Sequence, residues 1–424
     1  RYIACLVHYG DAGRQGQMRA ATVAERTARD ELASSPRPGW RPEPWWEPRT
    51  AYIHIPFCAH HCGYCDFAVA TGKDHLIDLY LEALELELAG LREPRSVETL
   101  FIGGGTPTYL GPTALERLLR MITRWLPRES ATGEFSIEST PDSVDREKAA
   151  LLASYGVNRI SLGVQSFDPE MLGTLDRQHD PEQIPAAVAA IRSFIPQLSF
   201  DLIFGTPGQS LAQWDADLSA ALDYQPEHLS TYGLTYEKGT PLWKARHRGQ
   251  VIALSEDAEL ELYLHTIQRL EAAGFEHYEL SNFARPGQRS RHNERYWANE
   301  AYWGFGVGAA RYVHGRRELN IRDTATYIRR VLAGESPTFQ CEELDPESRA
   351  FETIATQLRR SVGIDRSRFE QQTGYVLDQL IAERLKRLCE IGMLDDTGET
   401  VRLTRQGRCV ADAVIADLLA AQGG

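Results

Sequence analysis

Residues 51–67 have the sequence AYIHIPFCAHHCGYCDF, in which a short apolar run is followed at once by three closely spaced cysteines. Similar apolar runs recur along the chain, with longer stretches between them in which leucine repeats at helical spacing. The runs are AYIHI (51–55), ETLFI (98–102), EFSIE (134–138), NRISL (158–162), LSFDLIF (198–204) and HLSTYGL (228–234), and the helical stretches include LIDLYLEALELELAGL (76–91) and TALERLLRMITRWL (113–126).

This alternation of short apolar runs and amphipathic stretches predicts parallel strands joined by right-handed helical crossovers. Six such units favour an α/β fold built on a partial (β/α)6 TIM-like barrel, which we assign to residues 49–243. In barrels of this kind the chemistry lies at the carboxyl ends of the strands. The cysteines and several glycine-rich or polar segments follow the apolar runs, as that rule requires.

The two ends of the chain differ from the barrel. Residues 1–48 end in a Pro- and Trp-rich segment that fits neither helix nor strand, and we predict a poorly ordered tail. Residues 244–343 are interpreted as an extension of the barrel. Residues 344–424 contain helical stretches, a short hairpin around Asp395–Gly398 and LTRQG leading into a helix, which indicate a mostly helical, winged-helix-like domain.

Composition and charge exclude several functions. The net charge of −13 argues against sequence-independent nucleic-acid binding, which needs a basic surface, so packing or a possible homodimer is favoured for the C-terminal domain. No apolar run reaches the roughly 18 residues that a membrane-spanning helix needs. Seven cysteines, three of them within eight residues, are typical of a metal site in a reducing compartment, and a cytoplasmic location is expected.

The cysteine cluster has the spacing C-x3-C-x2-C, formed by Cys58, Cys62 and Cys65. Zinc is one alternative, but a structural zinc needs four ligands, and only His54, His60 or His61 could supply the fourth nearby. Three thiolates on one loop fit three irons of a [4Fe–4S] cluster and leave the fourth iron open. That iron can bind the amine and carboxylate of S-adenosylmethionine (SAM), whose reductive cleavage gives a 5′-deoxyadenosyl radical.

Further candidate ligand contacts follow the later strands. GGGTP (103–107) lets the backbone approach a ligand closely, although a plain tight turn is the alternative. Glu138 ends the third run and suits a ribose or an ammonium group, unless it is simply an exposed carboxylate. Gln165, Arg177 and Asp201 are polar residues at similar positions on the predicted rim.

Several motifs together resemble one family. YIHIPFCxxxCxYCDF, FIGGGTPTYL, SIE, RISLGVQSF, DLIFGTPGQS, YELSNFARPG and LTRQG are similar to the family of oxygen-independent coproporphyrinogen III dehydrogenase (HemN) and its relatives, from about residue 50 to 420. The resemblance implies a radical SAM barrel followed by a HemN-like C-terminal domain. Two features point to the heme chaperone (HemW) branch: Phe67 replaces a further cysteine of the dehydrogenase, and HNERYW (292–297) matches the heme-binding motif HNxxYW.

The resemblance also implies roles for individual residues. For the SAM bound to the cluster it implies Tyr52, Gly104, Glu138 and Ala310. For a second SAM site of the dehydrogenase it implies Tyr64, Gly105, Thr106, Gln165, Arg177, Asp201 and Gly233. For heme it implies His292, Asn293, Tyr296 and Trp297, and no catalytic residue is assigned.

His292 is chemically suited to heme, because a neutral imidazole is a common axial ligand and Tyr296 and Trp297 could cover a porphyrin face. The alternative is a buried polar cap on a loop. Since the motif lies just before GFGVGAAR (304–311), we expect heme near the barrel mouth.

Three functions are therefore compared. The leading hypothesis is a chaperone that binds heme and a SAM-ligated [4Fe–4S] cluster and delivers heme to apo-hemoproteins. One alternative is the dehydrogenase, against which Phe67 and HNERYW both argue. The other is a related radical SAM methyltransferase or cyclopropanase, against which HNERYW argues, because such relatives generally lack HNxxYW. A Soret band on heme titration favours the chaperone, whereas deoxyadenosine formed only with coproporphyrinogen favours the dehydrogenase.

Overall fold

The computed structural model describes residues 36, 39–41 and 45–420 of the 424-residue chain. Two compact units are present. One comprises Trp46–Glu342 and Arg359–Val362, and the other comprises the described residues up to Trp45 with Glu343–Leu358 and residues 363–420. The predicted tail, residues 1–48, lies outside the described residues except for Pro36, 39–41 and 45–48.

The larger unit is organised around six parallel strands, each of which pairs with the next strand along the chain. Helices connect successive strands, so that all six carboxyl ends lie at one edge of the sheet. The strands are β1 (Thr50–Ile55), β2 (Thr99–Gly104), β3 (Glu134–Ser139), β4 (Arg159–Gln165), β5 (Gln197–Phe204) and β6 (His228–Gly233).

Three short strands extend this sheet: β7 (Glu276–His277), β8 (Asn282–Ala284) and β9 (Trp303–Phe305). The strand order is β7-β8-β6-β5-β4-β3-β2-β1-β9, with β9 parallel to β1 and β8 antiparallel to β6. Because the order is linear and β7 and β9 form its edges, the barrel is partial. The predicted fold class is confirmed.

The crossover helices bury their apolar faces against this sheet. In α2, Gly111 precedes the helix and Pro112 occupies its first turn, where its missing N–H is not needed. Leu115, Leu118 and Ile122 then recur at helical spacing and are fully buried. The helices of this unit are α1 (Ile77–Ala89), α2 (Pro112–Trp125), α3 (Arg146–Ser154), α4 (Pro169–Thr174), α5 (Ile184–Arg192), α6 (Leu211–Asp223), α7 (Pro241–His247), α8 (Glu256–Ala272), α9 (Arg291–Trp297) and α10 (Thr324–Leu332), with 3-10 turns at Asp74–Leu76, Pro107–Tyr109 and Pro181–Gln183.

A second, three-stranded sheet follows β9. It contains β10 (Ala310–Val313), β11 (Arg316–Asn320) and β12 (Thr338–Glu343), in that order. The turn between β9 and β10 is held by the partly buried carboxylate of Glu87, which accepts hydrogen bonds from the Gly306 amide (2.8 Å) and the Tyr327 hydroxyl (2.6 Å).

The smaller unit is mostly helical and carries a short sheet of order β13-β15-β14. Its elements are α11 (Pro346–Gln357), β13 (Ile364–Asp365), α12 (Arg366–Thr373), α13 (Leu377–Glu390), β14 (Leu394–Asp396), β15 (Thr400–Leu403), α14 (Arg405–Cys409) and α15 (Ala411–Leu419). This arrangement of helices and a hairpin confirms the winged-helix-like prediction.

A tryptophan from the Pro- and Trp-rich segment packs on the smaller unit. The indole N–H of Trp40 donates to the carbonyl of Gln371 at 2.9 Å, and the Arg349 guanidinium lies 5.5 Å from the centroid of its ring. Gly374 has φ +81°, and a Cβ there would come within 2.9 Å of that ring. The segment around Trp40 is therefore part of this unit.

Within the described residues, no helix combines the length and the apolar character that crossing a lipid bilayer would require.

Candidate functional site

The cysteine loop begins where β1 ends, and backbone hydrogen bonds fix its start. The amide of Gly105 donates to the carbonyl of Ile55, and the amide of Ala70 donates to the carbonyl of Pro56, both at 2.8 Å. The loop thus leaves and rejoins the barrel beside the carboxyl end of β2. This placement agrees with the prediction from the strand order.

The middle of the loop is fixed by the chain on the other side of the barrel mouth. The Gly63 amide donates to the carbonyl of Leu175 at 3.2 Å, and the Leu242 amide donates to the carbonyl of Gly63 at 2.9 Å. The backbone that carries the cysteines is therefore anchored at both its end and its centre, which preorganises the thiols.

The three thiols lie on one loop at the barrel mouth, where Cys62 and Cys65 are near enough to affect the pKa of Cys58. Cys58 and Cys62 are buried and Cys65 is partly exposed. Burial, followed by the neighbouring thiols of Cys65 and Cys62, raises the pKa of Cys58 to about 12. Nη1 of Arg177 lies 3.3 Å from Sγ of Cys62, so that one cation faces the negative charge that three thiolates would carry.

The zinc alternative is not supported by the nearby histidines. Nε2 of His60 pairs with the carboxylate of Asp176 at 3.0 Å, and Nε2 of His61 bonds to the carbonyl of Cys65 at 2.9 Å. Across the described residues, no group of three or more His, Cys, Asp or Glu side chains is arranged to hold a single metal ion. Three thiols that each bind a different iron do not need such a compact arrangement. The donor set therefore fits a [4Fe–4S] cluster better than zinc.

The central glycine of GGGTP is required by the backbone itself. Gly104 has φ +120°, and its amide donates to Oε2 of Glu138 at 2.8 Å. A Cβ at this position would lie 2.7 Å from the carbonyl oxygen of Ile55 and 2.8 Å from the His54 ring. The missing side chain thus keeps β1 and β2 in register, in addition to any role in ligand binding.

Two partly buried carboxylates, those of Glu138 and Asp201, lie close together inside the barrel. Burial, and then the nearby Asp201, raise the pKa of Glu138 to about 7. Burial likewise raises the pKa of Asp201 to about 6, although the Ser161 hydroxyl donates to its carboxylate at 3.0 Å. Tyr52 lies next to Glu138. These groups can accept hydrogen bonds from an ammonium or a sugar hydroxyl.

Glu138→Gln is expected to change how the stability of the ligand-free protein depends on pH. The pKa of Glu138 is about 7 in the folded protein against an ordinary value of 4.5, so the folded state favours the protonated acid. The shift corresponds to a loss of about 3 kcal/mol as the pH rises from below 4.5 to above 7. Glutamine can still accept from Gly104 but cannot ionise.

Urea unfolding at pH 5 and pH 8 measures this effect. The variant should be more stable than the unmodified protein at pH 8 and similar to it at pH 5. Glu261→Gln, on the exposed face of α8, is the control and should change neither value. Equal effects of Glu138→Gln at both pH values would contradict the prediction.

The rim of the barrel carries further predicted residues. Gln165 ends β4 with φ +67°, a strained conformation for a residue with a side chain. Nη2 of Arg177 donates to the carbonyl of Gly163 at 2.7 Å, and Tyr64 lies close enough to affect the same guanidinium. The loop after β4 is thereby tied to the cysteine loop.

The remaining predicted SAM residues are more dispersed. Thr106 is buried, and its amide donates to the carbonyl of Phe57 at 2.8 Å. Gly233 is exposed at the end of β6. Ala310 is fully buried on β10 beside Gly304, which pairs with Tyr52 of β1. The sequence alone gave no indication that Ala310 lies next to β1; this proximity follows from the pairing of β9 with β1.

His54 was considered above only as a zinc ligand, yet it connects the barrel interior to the cysteine loop. Nδ1 of His54 is hydrogen-bonded to the Tyr52 hydroxyl at 3.0 Å, and Nε2 to the carbonyl of Ala68 at 2.9 Å. Burial lowers its pKa to about 4, so the ring is neutral at physiological pH. The sequence Tyr-Ile-His in the first strand could have indicated the contact between Tyr52 and His54, since residues two apart in a strand share one face.

The HNERYW segment forms α9 at the opposite end of the barrel strands. Nδ1 of His292 is hydrogen-bonded at 3.1 Å to the hydroxyl of Thr99, the first residue of β2. Gly104, at the other end of β2, is about 17 Å away at the usual rise of a strand. The expectation that this motif lies at the barrel mouth is therefore wrong. The chain reaches β9 from its amino end, which places the preceding helix at the amino-terminal edge.

Glu134, the first residue of β3, holds α9 in place and was missed by sequence reasoning. Its carboxylate accepts hydrogen bonds from the Ser290 hydroxyl (3.2 Å), the Arg291 amide (2.8 Å) and the His292 amide (3.2 Å). Glu134 is 4% exposed. The only sign of this role in the sequence was an acidic residue at the start of a strand whose other residues are mostly buried.

The two aromatic residues of the motif, Tyr296 and Trp297, also pack inward. Nε2 of His292 is hydrogen-bonded to the Tyr296 hydroxyl at 3.0 Å, and the two rings meet edge to face. Trp297 is 4% exposed, and the guanidinium of Arg359 lies 5.7 Å from its ring centroid. Asn293 is partly exposed, and its amide is bonded to the Ser290 side chain.

These observations test whether heme fits at His292. The chemistry fits, because burial lowers the pKa of His292 to about 3 and a neutral imidazole is the form that binds iron. The accessibility of the ring does not fit, because His292 is 1% exposed and both of its ring nitrogens already have hydrogen-bond partners. The described conformation is therefore closed to an iron ligand at this residue.

Two family models match the chain. The Radical SAM superfamily model matches residues 52–221, and the HemN C-terminal domain model matches residues 344–410. The first range contains the cysteine loop and the strands up to β5, and the second lies within the smaller unit except for Arg359–Val362.

Individual relatives match over most of their length. The heme chaperone HemW of Bacillus subtilis (strain 168) is 36% identical over 88% of this chain and 99% of its own length. The heme chaperone HemW of Mycobacterium tuberculosis (strain H37Rv) is 37% identical over 90% of this chain and 97% of its own. Among solved structures, coproporphyrinogen III oxidase (HemN) of Escherichia coli superposes with a TM-score of 0.77 at 25% identity, over 93% of each chain.

Proposed function

The chain belongs to the family of radical SAM proteins named heme chaperone HemW, and from this premise we propose that it binds heme and a SAM-ligated [4Fe–4S] cluster and transfers heme to apo-hemoproteins. The observation that carries the proposal is the presence of two separate sites in one barrel. Three thiols lie at the carboxyl ends of the strands, and a neutral, buried imidazole lies at their amino ends.

The cluster would be held by Cys58, Cys62 and Cys65. When bound, such a cluster supplies a low-potential electron and an open iron for SAM. Arg177 would offset the negative charge of the thiolates from its position 3.3 Å from Sγ of Cys62. The anchored loop backbone would keep the three thiols together before the metal arrives.

The SAM-binding surface would be the barrel interior beside this loop. Glu138 and the Gly104 amide lie there in direct contact, and Tyr52 and Asp201 are adjacent. These residues would orient the ammonium and ribose groups. Phe67, which by resemblance stands where the dehydrogenase has a further cysteine, is exposed, and the proposal does not include decarboxylation of coproporphyrinogen.

His292 would be the heme ligand, with apo-hemoproteins as acceptors. His292→Ala is therefore expected to weaken heme binding at least tenfold or to shift the Soret band, while iron and sulfide content stay unchanged. The reason is that the variant loses its iron–nitrogen bond but keeps the distant cysteine loop. Heme titration of the purified protein, read by absorbance, measures the effect.

A matched control is His228→Ala. His228 is also buried at the amino end of a strand, with Nδ1 bonded to Ser199 (2.8 Å) and Nε2 bonded to Tyr278 (2.7 Å). Its removal leaves a similar cavity and should lower the melting temperature without changing heme affinity. Unchanged heme binding in His292→Ala, together with a lower melting temperature, would reduce the motif to a structural cap.

A further inference from the structure

Tyr296 occupies the nitrogen of His292 that would otherwise be available to iron. The Thr99 hydroxyl donates to the Thr50 hydroxyl at 3.1 Å, which leaves the Thr99 oxygen as the acceptor for Nδ1–H of His292. Nε2 is then the acceptor nitrogen, and it receives the Tyr296 hydroxyl at 3.0 Å. This network assigns the tautomer in which the lone pair lies on Nε2, the arrangement typical of a metal-binding histidine.

The backbone of α9 keeps this nitrogen enclosed. Glu134 accepts from the amides of Arg291 and His292, and the Ser290 side chain caps the helix by accepting from the Asn293 amide. The His292 ring also lies 5.0 Å from the ring of Phe101, measured between centroids. An iron porphyrin cannot reach Nε2 unless both the Tyr296 hydroxyl and the helix move.

We propose that α9 is a latch over His292: Tyr296 blocks Nε2 in the closed state, and heme binds only after Tyr296 and α9 move away from the amino ends of β1, β2 and β3. This inference rests on the proposed function, because it takes His292 as the iron ligand. It gives Tyr296 a role different from the porphyrin stacking considered above. In the closed state the hydroxyl occupies the position of the iron.

Two features make α9 suitable as a moving part. It has only seven residues, and so short a helix depends on its packing and its cap. Its polar contacts to the barrel are hydrogen bonds to Glu134, Thr99 and Thr132 and an ion pair between Arg295 and Glu98, all of which water can replace once the helix leaves. The apparent heme affinity would then equal the intrinsic affinity multiplied by the fraction of molecules that are open.

Stopped-flow heme binding to the full chain tests the latch. If opening precedes binding, the observed rate constant should level off as heme concentration increases. Tyr296→Phe removes one hydrogen bond from the closed state, and the plateau should rise about fivefold. Ser290→Ala, which removes the cap of α9, should also raise it. Tyr278→Phe removes the equivalent hydroxyl from His228 and should leave the plateau unchanged.

Amide hydrogen exchange of the heme-free protein gives a second measurement. Residues 291–293 should exchange faster in Tyr296→Phe and Ser290→Ala than in the unmodified protein, with β5 unaffected. An observed rate constant that increases linearly with heme concentration and is unchanged in both variants would overturn the latch. If His292→Ala nevertheless lost heme binding, the proposed function would stand. Unchanged heme binding in His292→Ala would overturn both.

Discussion

Cys62→Ala is expected to abolish the brown colour and the visible absorbance of the anaerobically reconstituted protein. Cys62 is the middle cysteine of the loop and the thiol that Arg177 contacts. A cubane that keeps only two protein thiolates loses one of its three attachment points on this loop and is not retained. Iron and sulfide analysis should fall from near four of each per chain, the content of one [4Fe–4S] cluster, to background. Cys58→Ala and Cys65→Ala should behave in the same way.

The cysteines outside the loop provide the controls. Cys341 is exposed, and Cys389 and Cys409 are partly exposed in the smaller unit. Alanine at any of these three should leave iron and sulfide unchanged, and Cys5, outside the described residues, is expected to behave likewise. If a Cys341→Ala/Cys389→Ala double variant lost its iron, the ligand assignment would be wrong.

Gly104→Ala is expected to destabilise the larger unit by about 4 kcal/mol, because it combines a strained backbone with a steric overlap. The residue has φ +120°, and the new Cβ would lie 2.7 Å from the carbonyl oxygen of Ile55. The steric overlap is at Ile55, where β1 ends and the cysteine loop begins. We therefore expect poor cluster assembly as well as weak SAM binding, measured by urea unfolding and by iron content.

Gly111→Ala is the matched control for this substitution. Gly111 precedes α2 with φ −62°, and a Cβ there meets nothing within 4 Å. Its replacement should change the free energy of unfolding by less than about 1 kcal/mol. If Gly104→Ala unfolded like Gly111→Ala and bound its cluster normally, the role of Gly104 in the fold would be disproved.

The parallel strands could be predicted from sequence because their signal is local. The apolar run 51–55 corresponds to β1 (Thr50–Ile55), and the other five runs overlap β2 to β6. Each run is short and flanked by amphipathic helices, so its type and place follow from periodicity. The position of the cysteine loop followed from the same pattern, since the loop comes directly after the first run.

The surroundings of His292 could not be predicted in this way. Its partner Thr99 is 193 residues away in sequence, and Glu134 is 158 residues away. No periodicity indicates which strand end a later loop will cover. Sequence proximity to residues 304–311 suggested the barrel mouth, but β9 lies parallel to β1, and this direction puts α9 at the other end.

The position of Trp40 on the smaller unit has a consequence for the order in which the protein is made. Its hydrogen-bond partner Gln371 follows it by 331 residues, so a ribosome working at about 5–20 residues per second needs roughly 20 s to 1 min to synthesise the intervening chain. Throughout that time Trp40 has been synthesised but its docking surface has not. The smaller unit therefore cannot be completed until Gln371 has been made and the much earlier segment around Trp40 has packed against it.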